Sequence, residues 1–366
     1  MFNWVKFLDS DYFPAGAEAV RNQPKVSTPS RWIPFVILHV ACLSVLLTGV
    51  STAALVMCVS FCLLRMLAIT SFYHRYFSHR TYKTSRIAQF VFAVAGLTAV
   101  QRGPLWWASH HRHHHQHADK EKDIHSPTMR GFLWSHIGWI TADSNMPTDY
   151  SRVPDFARYP ELVFVNRFDW IVPILSAVSI YALGAVLGAS FPNLHTNGPQ
   201  FLAWGIVSTV AAFHATAAIN SLAHQFGSQE FETNDDSKNS FLLGLICLGE
   251  GWHNNHHRYP GCVRQGLEWW QIDITYYYLL MLEACGVIWD LNKTPVLVST
   301  SNSKASEELA TKSNADLATK SNADLATKSS EDLVIRKVVD SESGIVNDNE
   351  RIGIPRIQAA IEGPSQ

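Results

Sequence analysis

The sequence predicts an all-α membrane protein whose four transmembrane helices form two hairpins. Three features indicate this fold class: four long apolar segments, two uncharged loops that join them in pairs, and few charged residues. Charged side chains make up only 16 % of the 366 residues, against about a quarter in average globular proteins. The net charge of −2 gives no indication of nucleic acid as a partner, because nucleic-acid-binding proteins present basic surfaces.

Each apolar segment has the roughly 20 residues that a bilayer-crossing helix requires. The segments cover residues 32–50, 51–73, 170–190 and 201–222. The loops inside the two pairs, residues 48–51 and 191–200, contain no charged residue. A large soluble helical protein is the alternative, but it would not explain two pairs of long apolar segments joined in this way.

Basic residues flank these pairs on their outer sides. They are Lys25, Arg31, Arg75, Arg80, Lys83, Arg86, Arg158 and Arg167. Because lysine and arginine are enriched in cytoplasmic loops, both termini and the long middle segment are predicted to face the cytoplasm. The membrane would be the endoplasmic reticulum in a eukaryote or the inner membrane in a bacterium.

The predicted organisation is an N-terminal cytoplasmic segment over residues 1–31, a membrane domain over 32–298 and a tail over 299–366. In the tail, the octapeptide Leu-Ala-Thr-Lys-Ser-Asn-Ala-Asp begins at Leu309 and again at Leu317, and a variant begins at Leu325. One leucine in eight residues cannot build an apolar core, so the tail is predicted to be disordered and solvated. A transient helix is the alternative.

Histidine stands out in the composition, with 17 copies. Three motifs contain most of them: His74-Arg-Tyr-Phe-Ser-His79, His111-Arg-His-His-His115 and His253-Asn-Asn-His-His257. In the second and third motifs, histidines occupy positions i, i+3 and i+4, which share one face of a helix. The second and third motifs are separated by an even number of predicted spans, and the first and second by none. All three motifs therefore emerge on one side of the membrane.

Imidazole groups that converge in this way can hold metal ions such as zinc, copper, nickel or iron. A structural zinc has four protein ligands and a catalytic zinc usually three, so eight or more histidines are too many for one ion. They suit two ions with positions left open for an oxidant. The sequence therefore predicts a site for two metal ions on one side of the membrane.

The order and spacing of these motifs resemble the stearoyl-CoA desaturase family. The patterns H-x4-H, H-R-x-H-H and E-G-x-H-N-x-H-H follow one another between paired spans, and Asn220-Ser-Leu-Ala-His224 precedes the third. The resemblance covers residues 32–290. It implies oxygen-dependent insertion of a cis double bond, at the ninth carbon, into a saturated acyl chain. The substrate would be an acyl-CoA or an acyl-lipid, with acyl-CoA the expected carrier.

The resemblance also implies a helical cytoplasmic cap that holds the di-metal site, together with the cofactors and their ligands. Two Fe²⁺ ions, with O₂ as co-substrate, would be held by nine histidines, and Asn220 would reach a metal through a water molecule. The nine are His74, His79, His111, His114, His115, His224, His253, His256 and His257. The printed sequence has no His-Pro-Gly-Gly motif of a fused heme domain, so a separate donor would supply electrons. That donor would be a b-type cytochrome or a ferredoxin with its reductase.

Further residues are candidates for supporting roles. Metal-bound imidazoles commonly donate their second nitrogen to a carboxylate, and Glu250, Asp119 and Asp123 could serve in this way or be solvated or helix-capping acids. Trp106 and Trp107 could line an acyl tunnel or anchor the chain at the membrane interface. The remaining histidines fall outside the ligand pattern. His110, His113 and His117 are expected at the surface or behind the ligands. His39, His195 and His214 are not expected to bind metal. The sequence suggests no role for His125 and His136.

Two departures from the family pattern bear on the carrier. Ser109-His110 stands where animal acyl-CoA desaturases have Arg-Asp, whose charges help to hold the CoA head, and Asp123-Ile124-His125 stands where the family often has Asp-Pro-His. Acyl-CoA binding is therefore less well supported than desaturation. One rival interpretation is a di-iron fatty acid or alkane hydroxylase, which would yield a hydroxyl group. Another is a histidine-rich membrane metal transporter, which would need polar ligands at mid-membrane depth.

Overall fold

The computed structural model describes Lys6 and residues 8–293. The chain is mostly helical, as predicted, and four helices among the described residues are long and apolar enough to cross a membrane. They cover Pro29–Thr48, Thr52–Ser78, Ile171–Ser190 and Gly198–Leu222. The second ends at Ser78 rather than at the predicted residue 73, so it includes His74 of the first histidine motif. The predicted tail lies outside the described residues.

The remaining helices are short. In chain order, the α-helices are α1 (Ala17–Arg21), α2 (Pro29–Ala41), α3 (Val45–Thr48), α4 (Thr52–Ala68), α5 (Arg86–Leu97), α6 (Pro104–His117), α7 (Pro127–Arg130), α8 (Phe132–His136), α9 (Pro154–Ala157), α10 (Pro160–Arg167), α11 (Ile171–Ser190), α12 (Gly198–Leu222), α13 (Phe241–Ile246), α14 (His253–Arg258) and α15 (Ile274–Ala284). A 3₁₀ stretch, Cys42–Ser44, joins α2 to α3, and a π-helix, Ile69–Ser78, continues α4. Other 3₁₀ turns cover Gly138–Thr141, Asp143–Asn145, Tyr150–Arg152 and Pro192–Leu194. The strands β1 (Lys83–Thr84) and β2 (Ile288–Trp289) pair antiparallel.

The candidate spans α4, α11 and α12 pack closely through small side chains. A Cβ atom added at Gly184 of α11 would lie 2.6 Å from the Phe201 side chain of α12. Ala54 of α4 and Ile180 of α11 join Phe201 in one apolar core. Ser51 caps α4 and also donates to Gln200 Oε1 at 2.7 Å, which ties the start of α4 to α12. Close packing and such polar ties hold helices together where no water is present to drive association.

A buried arginine fastens α5 to the spans. Arg65 of α4 is 4 % exposed. Its Nε donates to Thr98 O, just after α5, at 2.9 Å, and its guanidinium also donates to Gly205 O of α12 at 3.3 Å. The cation is thus satisfied by carbonyl groups from two neighbours, as a charge inside a span requires.

We call residues 79–170 and 223–293 the cap. The segment before α2 packs across this cap. Ser10 Oγ donates to Asp169 at 2.6 Å, and the guanidinium of Arg21 donates to Thr148 O at 3.1 Å. Ser27 forms an antiparallel bridge with Ala142. The described part of the predicted N-terminal segment is therefore an ordered layer of the fold.

Candidate metal centre

The first histidine motif lies where the second span continues as a π-helix. Residues five apart on an α-helix point about 140° away from each other, so an α-helix would separate His74 from His79. Here His79 N donates to His74 O at 3.2 Å, the longer i to i+5 turn of a π-helix. This turn brings both imidazoles to one face, with their ring centroids 4.9 Å apart.

The second motif occupies the last turns of α6 and divides its histidines between two groups. His111 and His115 lie one turn apart and face the group that contains His74 and His79. His114 points to the neighbouring group. A helix that passes between two metal positions can serve both, because its i+3 side chain lies beside the i, i+4 pair rather than in line with it.

The third motif, on α14, divides in the opposite sense. His253 and His257 face the group of His114, and His256 faces the other. His224, just after the end of α12, completes the second group. The five-histidine cluster therefore consists of His74, His79, His111, His115 and His256, and the four-histidine cluster of His114, His224, His253 and His257. The structure brings all nine predicted ligands together.

The nitrogen spacings in the five-histidine cluster fit a shared metal ion. Neighbouring Nε2 atoms are separated by 2.8 Å (His79–His111), 3.0 Å (His111–His115), 2.9 Å (His115–His256) and 3.0 Å (His256–His74). Nitrogen ligands at about 2.1 Å from an ion and at right angles to each other would lie about 3.0 Å apart. Hydrogen bonds alone cannot satisfy this row of contacts, since a neutral imidazole has one N–H group and cannot donate it to two Nε2 neighbours at once.

The four-histidine cluster shows the same need for a cation. Nε2 of His224 lies 3.0 Å from Nε2 of His253. Nε2 of His114 and Nε2 of His257 are buried and have no hydrogen-bond partner among the described residues. A buried polar atom without a partner is destabilising, and a metal bound to these lone pairs would remove that cost. The donor sets of both clusters therefore fit imidazole-bound metal.

The three carboxylates that the sequence suggests each contact one cluster imidazole. The Nδ1 to carboxylate distances are 2.5 Å for His74 and Glu250, 3.0 Å for His114 and Asp123, and 2.7 Å for His224 and Asp119. Because each carboxylate accepts the Nδ1 proton, Nε2 keeps its lone pair for a metal. The alternative of freely solvated acids does not describe these side chains, since all three are largely buried.

A fourth carboxylate was not predicted. Asp235 Oδ2 lies 2.9 Å from Nδ1 of His257, and its Oδ1 accepts from Ser237 N at 3.0 Å. The neighbouring Asp236 instead accepts a hydrogen bond from Thr128 at 2.8 Å. Nothing in the spacing of the sequence distinguishes the two aspartates, so only the folded loop assigns Asp235 to the cluster.

A buried ionic network, also not predicted, holds Glu250 in place. The guanidinium of Arg75 lies 3.1 Å from Glu250 and 2.8 Å from Asp273. Gln265 Nε2 donates to Glu250 Oε2 at 3.0 Å. Burial raises the pKa of Glu250, but His74 and Arg75 lower it by more, so the net pKa is below its ordinary value. Glu250 is therefore ionised and accepts from His74.

The surroundings shift the pKa values of the cluster imidazoles in both directions. Burial, followed by the neighbouring imidazoles, lowers the pKa of most of them well below the ordinary value. These are His79, His111, His115, His253, His256 and His257. For His114, burial acts in the same direction, but Asp123 raises the pKa to a value above the ordinary one. Since a metal binds only the neutral ring, protons compete better at His114 than at these six ligands.

The remaining histidines lie outside both clusters. Nδ1 of His110 donates to Trp106 O at 2.9 Å, and Nε2 of His113 donates to Lys122 O at 2.8 Å. His117 packs its ring on His113, with the centroids 4.7 Å apart. His125 is buried and stacks on His114 at 4.3 Å between ring centroids. It therefore lies behind the four-histidine cluster.

Two histidines in the candidate spans contact each other rather than either cluster. Nε2 of His39 lies 3.0 Å from Nε2 of His214, and Nδ1 of His214 lies 3.0 Å from Nε2 of His136. His195 adopts a left-handed conformation in the loop between α11 and α12. As expected, His39, His195 and His214 are not in the histidine groups formed by the described residues, and neither is His136, for which the sequence suggested no role.

A cavity of about 460 Å³ reaches the five-histidine cluster. Trp106, Trp107, His111 and Asn220 all line it. Trp106 is 3 % exposed and donates its Nε1–H to Asn145 O at 2.9 Å, so it is not an anchor at a membrane surface. Asn220 also lines a small adjoining cavity together with His74, His114 and His253. Both predicted tunnel residues therefore line this cavity, and Trp107 also contacts His74 and His111 of the five-histidine cluster.

Comparison with known proteins identifies the family. Residues 51–284 match the family model described as fatty acid desaturase. An acyl-CoA 5-desaturase from Anemone leveillei is 34 % identical over 297 residues, covering 78 % of this chain and 88 % of that protein. Delta-9 acyl-lipid desaturase 1 from Arabidopsis thaliana is 38 % identical over 226 residues, covering 62 % and 70 %.

A cyanobacterial relative extends the comparison. The sn-1 stearoyl-lipid 9-desaturase from Anabaena variabilis is 34 % identical over 223 residues, covering 60 % of this chain and 77 % of that protein. These relatives are oxidoreductases that differ in the carrier and in the position of the double bond named for each. The match over most of the chain, and over most of each relative, shows that this chain belongs to the fatty acid desaturase family.

Proposed function

We propose that this chain inserts a cis double bond, at the ninth carbon, into a saturated acyl chain. The reaction uses O₂, two Fe²⁺ ions held by the two histidine clusters, and two electrons from a separate donor. That donor is a b-type cytochrome or a ferredoxin with its reductase. The relatives named above act on acyl-CoA or on acyl-lipids, and the ninth carbon is the position named for two of them.

The observation that carries this proposal is the contact between the cavity and the five-histidine cluster. His111 belongs to the cluster and also lines the cavity, beside Trp107 and Asn220. A cavity of about 460 Å³ lies within the range of sites that enclose small or drug-sized ligands. An acyl chain that enters it passes directly beside the histidines proposed to hold iron.

The protein itself contributes position and exclusion of water. Gln101 Nε2 donates to Thr216 Oγ1 at 3.0 Å, and both residues line the cavity. This bond joins the segment before α6 to α12 and keeps the wall rigid near Trp107. A methylene held at about 3–3.5 Å from the reacting group reacts without a further search for orientation.

The metal supplies what side chains cannot. Iron bound at the two clusters, with O₂, supplies an oxidant strong enough to break unactivated C–H bonds. Asn220 stands on the wall that both cavities share, where its side chain can hold a water molecule beside a metal. The carboxylates behind the imidazoles keep the Nε2 atoms directed at the centre.

We also propose that both termini and the metal centre face the cytoplasm. The basic residues outside the span pairs support this orientation. Residues 1–31 would then form a cytoplasmic segment, residues 32–298 the membrane domain and residues 299–366 a solvated tail.

Product analysis tests the reaction. The protein is expressed in a host whose fatty acids are known, and new double bonds are located by mass spectrometry. We expect a cis bond at the ninth carbon, and loss of this product when His257 is changed to Ala. Purified, iron-loaded protein with a working donor that produced only hydroxylated chains would refute desaturation and favour the hydroxylase.

A further inference from the structure

One wall of the acyl cavity consists of a single helix. Residues of α2 that line the cavity recur at i, i+3, i+4, i+7 and i+8, which is one continuous helix face. They are Arg31, Pro34, Phe35, Leu38 and His39. The opposite face of α2 is exposed, with Ile33 at 58 %, Ile37 at 62 % and Val40 at 58 %. If the apolar exposed face contacts lipid, only the thickness of α2 separates the cavity from the bilayer.

This wall is loosely attached along its middle. No residue from Pro29 to Thr48 is buried against the described part of the chain. At the first end, Arg31 Nε lies 2.7 Å from Asp143 Oδ1. At the other end, Trp204 Nε1 donates to Gly49 O at 3.0 Å, and Gln200 Nε2 donates to Thr48 O at 3.3 Å. The helix is thus fastened at its two ends.

Between these ends, one side-chain hydrogen bond among the described residues joins this helix to another helix. It lies between His39 and His214. The chain of rings behind it has one consistent assignment with neutral imidazoles. His39 Nδ1 donates to Phe35 O at 2.8 Å, so its Nε2 must accept from His214. Nδ1 of His214 then accepts from Nε2 of His136. We call this contact between His39 and His214, which joins α2 to α12, the latch.

Two weak points bracket the latch. Pro34 lies inside α2 and cannot donate to the preceding turn, which favours a kink there. On the other side, Cys42–Ser44 is a 3₁₀ stretch within the span, a feature that often marks a hinge. The segment between them carries Phe35, Leu38 and His39, the three residues that close the middle of the wall.

The polar groups on the cavity wall suit an uncharged linkage better than CoA. A CoA head carries several phosphate charges, which proteins bind with free arginine or lysine side chains. The two arginines that line the cavity are already paired: Arg31 with Asp143 at 2.7 Å and Arg102 with Asp169 at 3.0 Å. No lysine lines the cavity among the described residues. The glycerol ester of a membrane lipid requires no such cation.

We infer that the acyl chain enters sideways from the bilayer, still esterified to a membrane glycerolipid, when the segment between Pro34 and Cys42 moves away from α12. This inference rests on the proposed desaturase function and names its substrate class. A two-chain lipid cannot leave the bilayer without exposing its second chain to water. Entry through the α2 wall lets that second chain stay in the membrane.

The first test compares carriers with the unaltered, iron-loaded protein and a working electron donor in vesicles. The same stearoyl group is supplied either on phosphatidylcholine or a galactolipid in the bilayer, or as added stearoyl-CoA. With no acyltransferase present, each product stays on its carrier. We expect the lipid-borne chain to be desaturated at least tenfold faster. Equal or faster turnover of the thioester would overturn the inference, and no double bond on any carrier would refute the proposed desaturase function itself.

The second test locks the wall. Phe35 of α2 and Phe213 of α12 have ring centroids 5.3 Å apart, so Phe35→Cys and Phe213→Cys are introduced in a background without the six native cysteines. A short thiol-reactive bridge that a reductant can cleave then joins them. We expect bridging to stop repeated turnover of vesicle lipid at unchanged iron content, and reductant to restore it. The reagent on each single-cysteine protein is the control.

Timing of the lock separates entry from chemistry. Protein that is bridged after a lipid chain has entered should still complete one turnover, whereas protein bridged before loading should complete none. Bridged protein that continued to desaturate vesicle lipid at the rate of its reduced form would overturn lateral entry through α2. If the double-cysteine protein failed to fold, equal or faster turnover of the thioester by the unaltered protein would still overturn the inference.

Discussion

Asp235 provides the sharpest test of the metal centre, because only the folded structure connects it with a histidine. Both of its carboxylate oxygens accept hydrogen bonds. Oδ2 lies 2.9 Å from Nδ1 of His257, while Oδ1 accepts from Ser237 N at 3.0 Å. Asp235→Asn leaves one oxygen for these two positions. The amide NH₂ must then face either the His257 N–H or the Ser237 N–H, and both are donors.

The expected loss follows from this geometry. Removing a carboxylate that orients a metal-binding imidazole typically reduces metal affinity or activity by about 10- to 100-fold, or about 1.4 to 2.7 kcal/mol at 1.36 kcal/mol per factor of ten. His257 belongs to the four-histidine cluster, so the loss should fall on that ion. At limiting iron, Asp235→Asn should bind nearer one iron than two per chain, while the five-histidine cluster keeps its ion.

Asp236→Asn is the matched control. It makes the same chemical change one residue further along, where the carboxylate accepts one hydrogen bond from Thr128 at 2.8 Å. An Asn side chain keeps one oxygen for that bond. The assay is iron content by elemental analysis, with chelator competition for affinity and desaturation rate as a second readout. If Asp235→Asn bound two irons as tightly as Asp236→Asn, the assignment of Asp235 to His257 would be wrong.

Three further predictions concern acidity, topology and the tail. Because Asp123 raises the pKa of His114 above its ordinary value, lowering the pH should protonate this ring before the ligands of the five-histidine cluster whose pKa is lowered, and iron content should fall through a plateau near one ion. Simultaneous loss of both ions would contradict this order. A reporter that is active only outside the cytoplasm, fused after Asn302, should be silent, and a strong signal would reverse the proposed orientation. Truncation after Ser303 should leave specific activity largely intact, since the octapeptide repeat has no histidine, and a large loss at equal protein level would show that the tail contributes.

The family match also narrows the alternatives. The hydroxylase and transporter interpretations shared the histidine motifs, but the whole stretch of residues 51–284 matches fatty acid desaturases. The carrier and the double-bond position still differ among the relatives, which include 5- and 9-desaturases acting on CoA thioesters or lipids. The α2 wall differs in its attachment from the other candidate spans. We expect this wall to determine which acyl carrier the protein accepts.

The sequence by itself determined the features that depend on local patterns. Apolar length is a property of consecutive residues, so the four candidate spans were placed to within a few residues, except at the end of the second. Histidines at i, i+3 and i+4 on a helix point in related directions, which groups the histidines of the second and third motifs, whereas the full set of nine expected ligands came from the resemblance to the stearoyl-CoA desaturase family. Glu250, Asp119 and Asp123 could be suggested because carboxylates commonly accompany metal-binding imidazoles.

Only the tertiary structure decided which imidazole belongs to which metal position. The helical period shows that His111, His114 and His115 lie near one another, but not that α6 passes between two groups. The five-residue spacing of His74 and His79 does not fit an α-helix, and the π-helical turn that resolves it depends on the surrounding packing. Asp235 lies 22 positions from His257, which it contacts, and His39 lies 175 positions from His214. Such pairings arise from the closure of long loops and the packing of separate helices, for which no local spacing in the chain provides a signal.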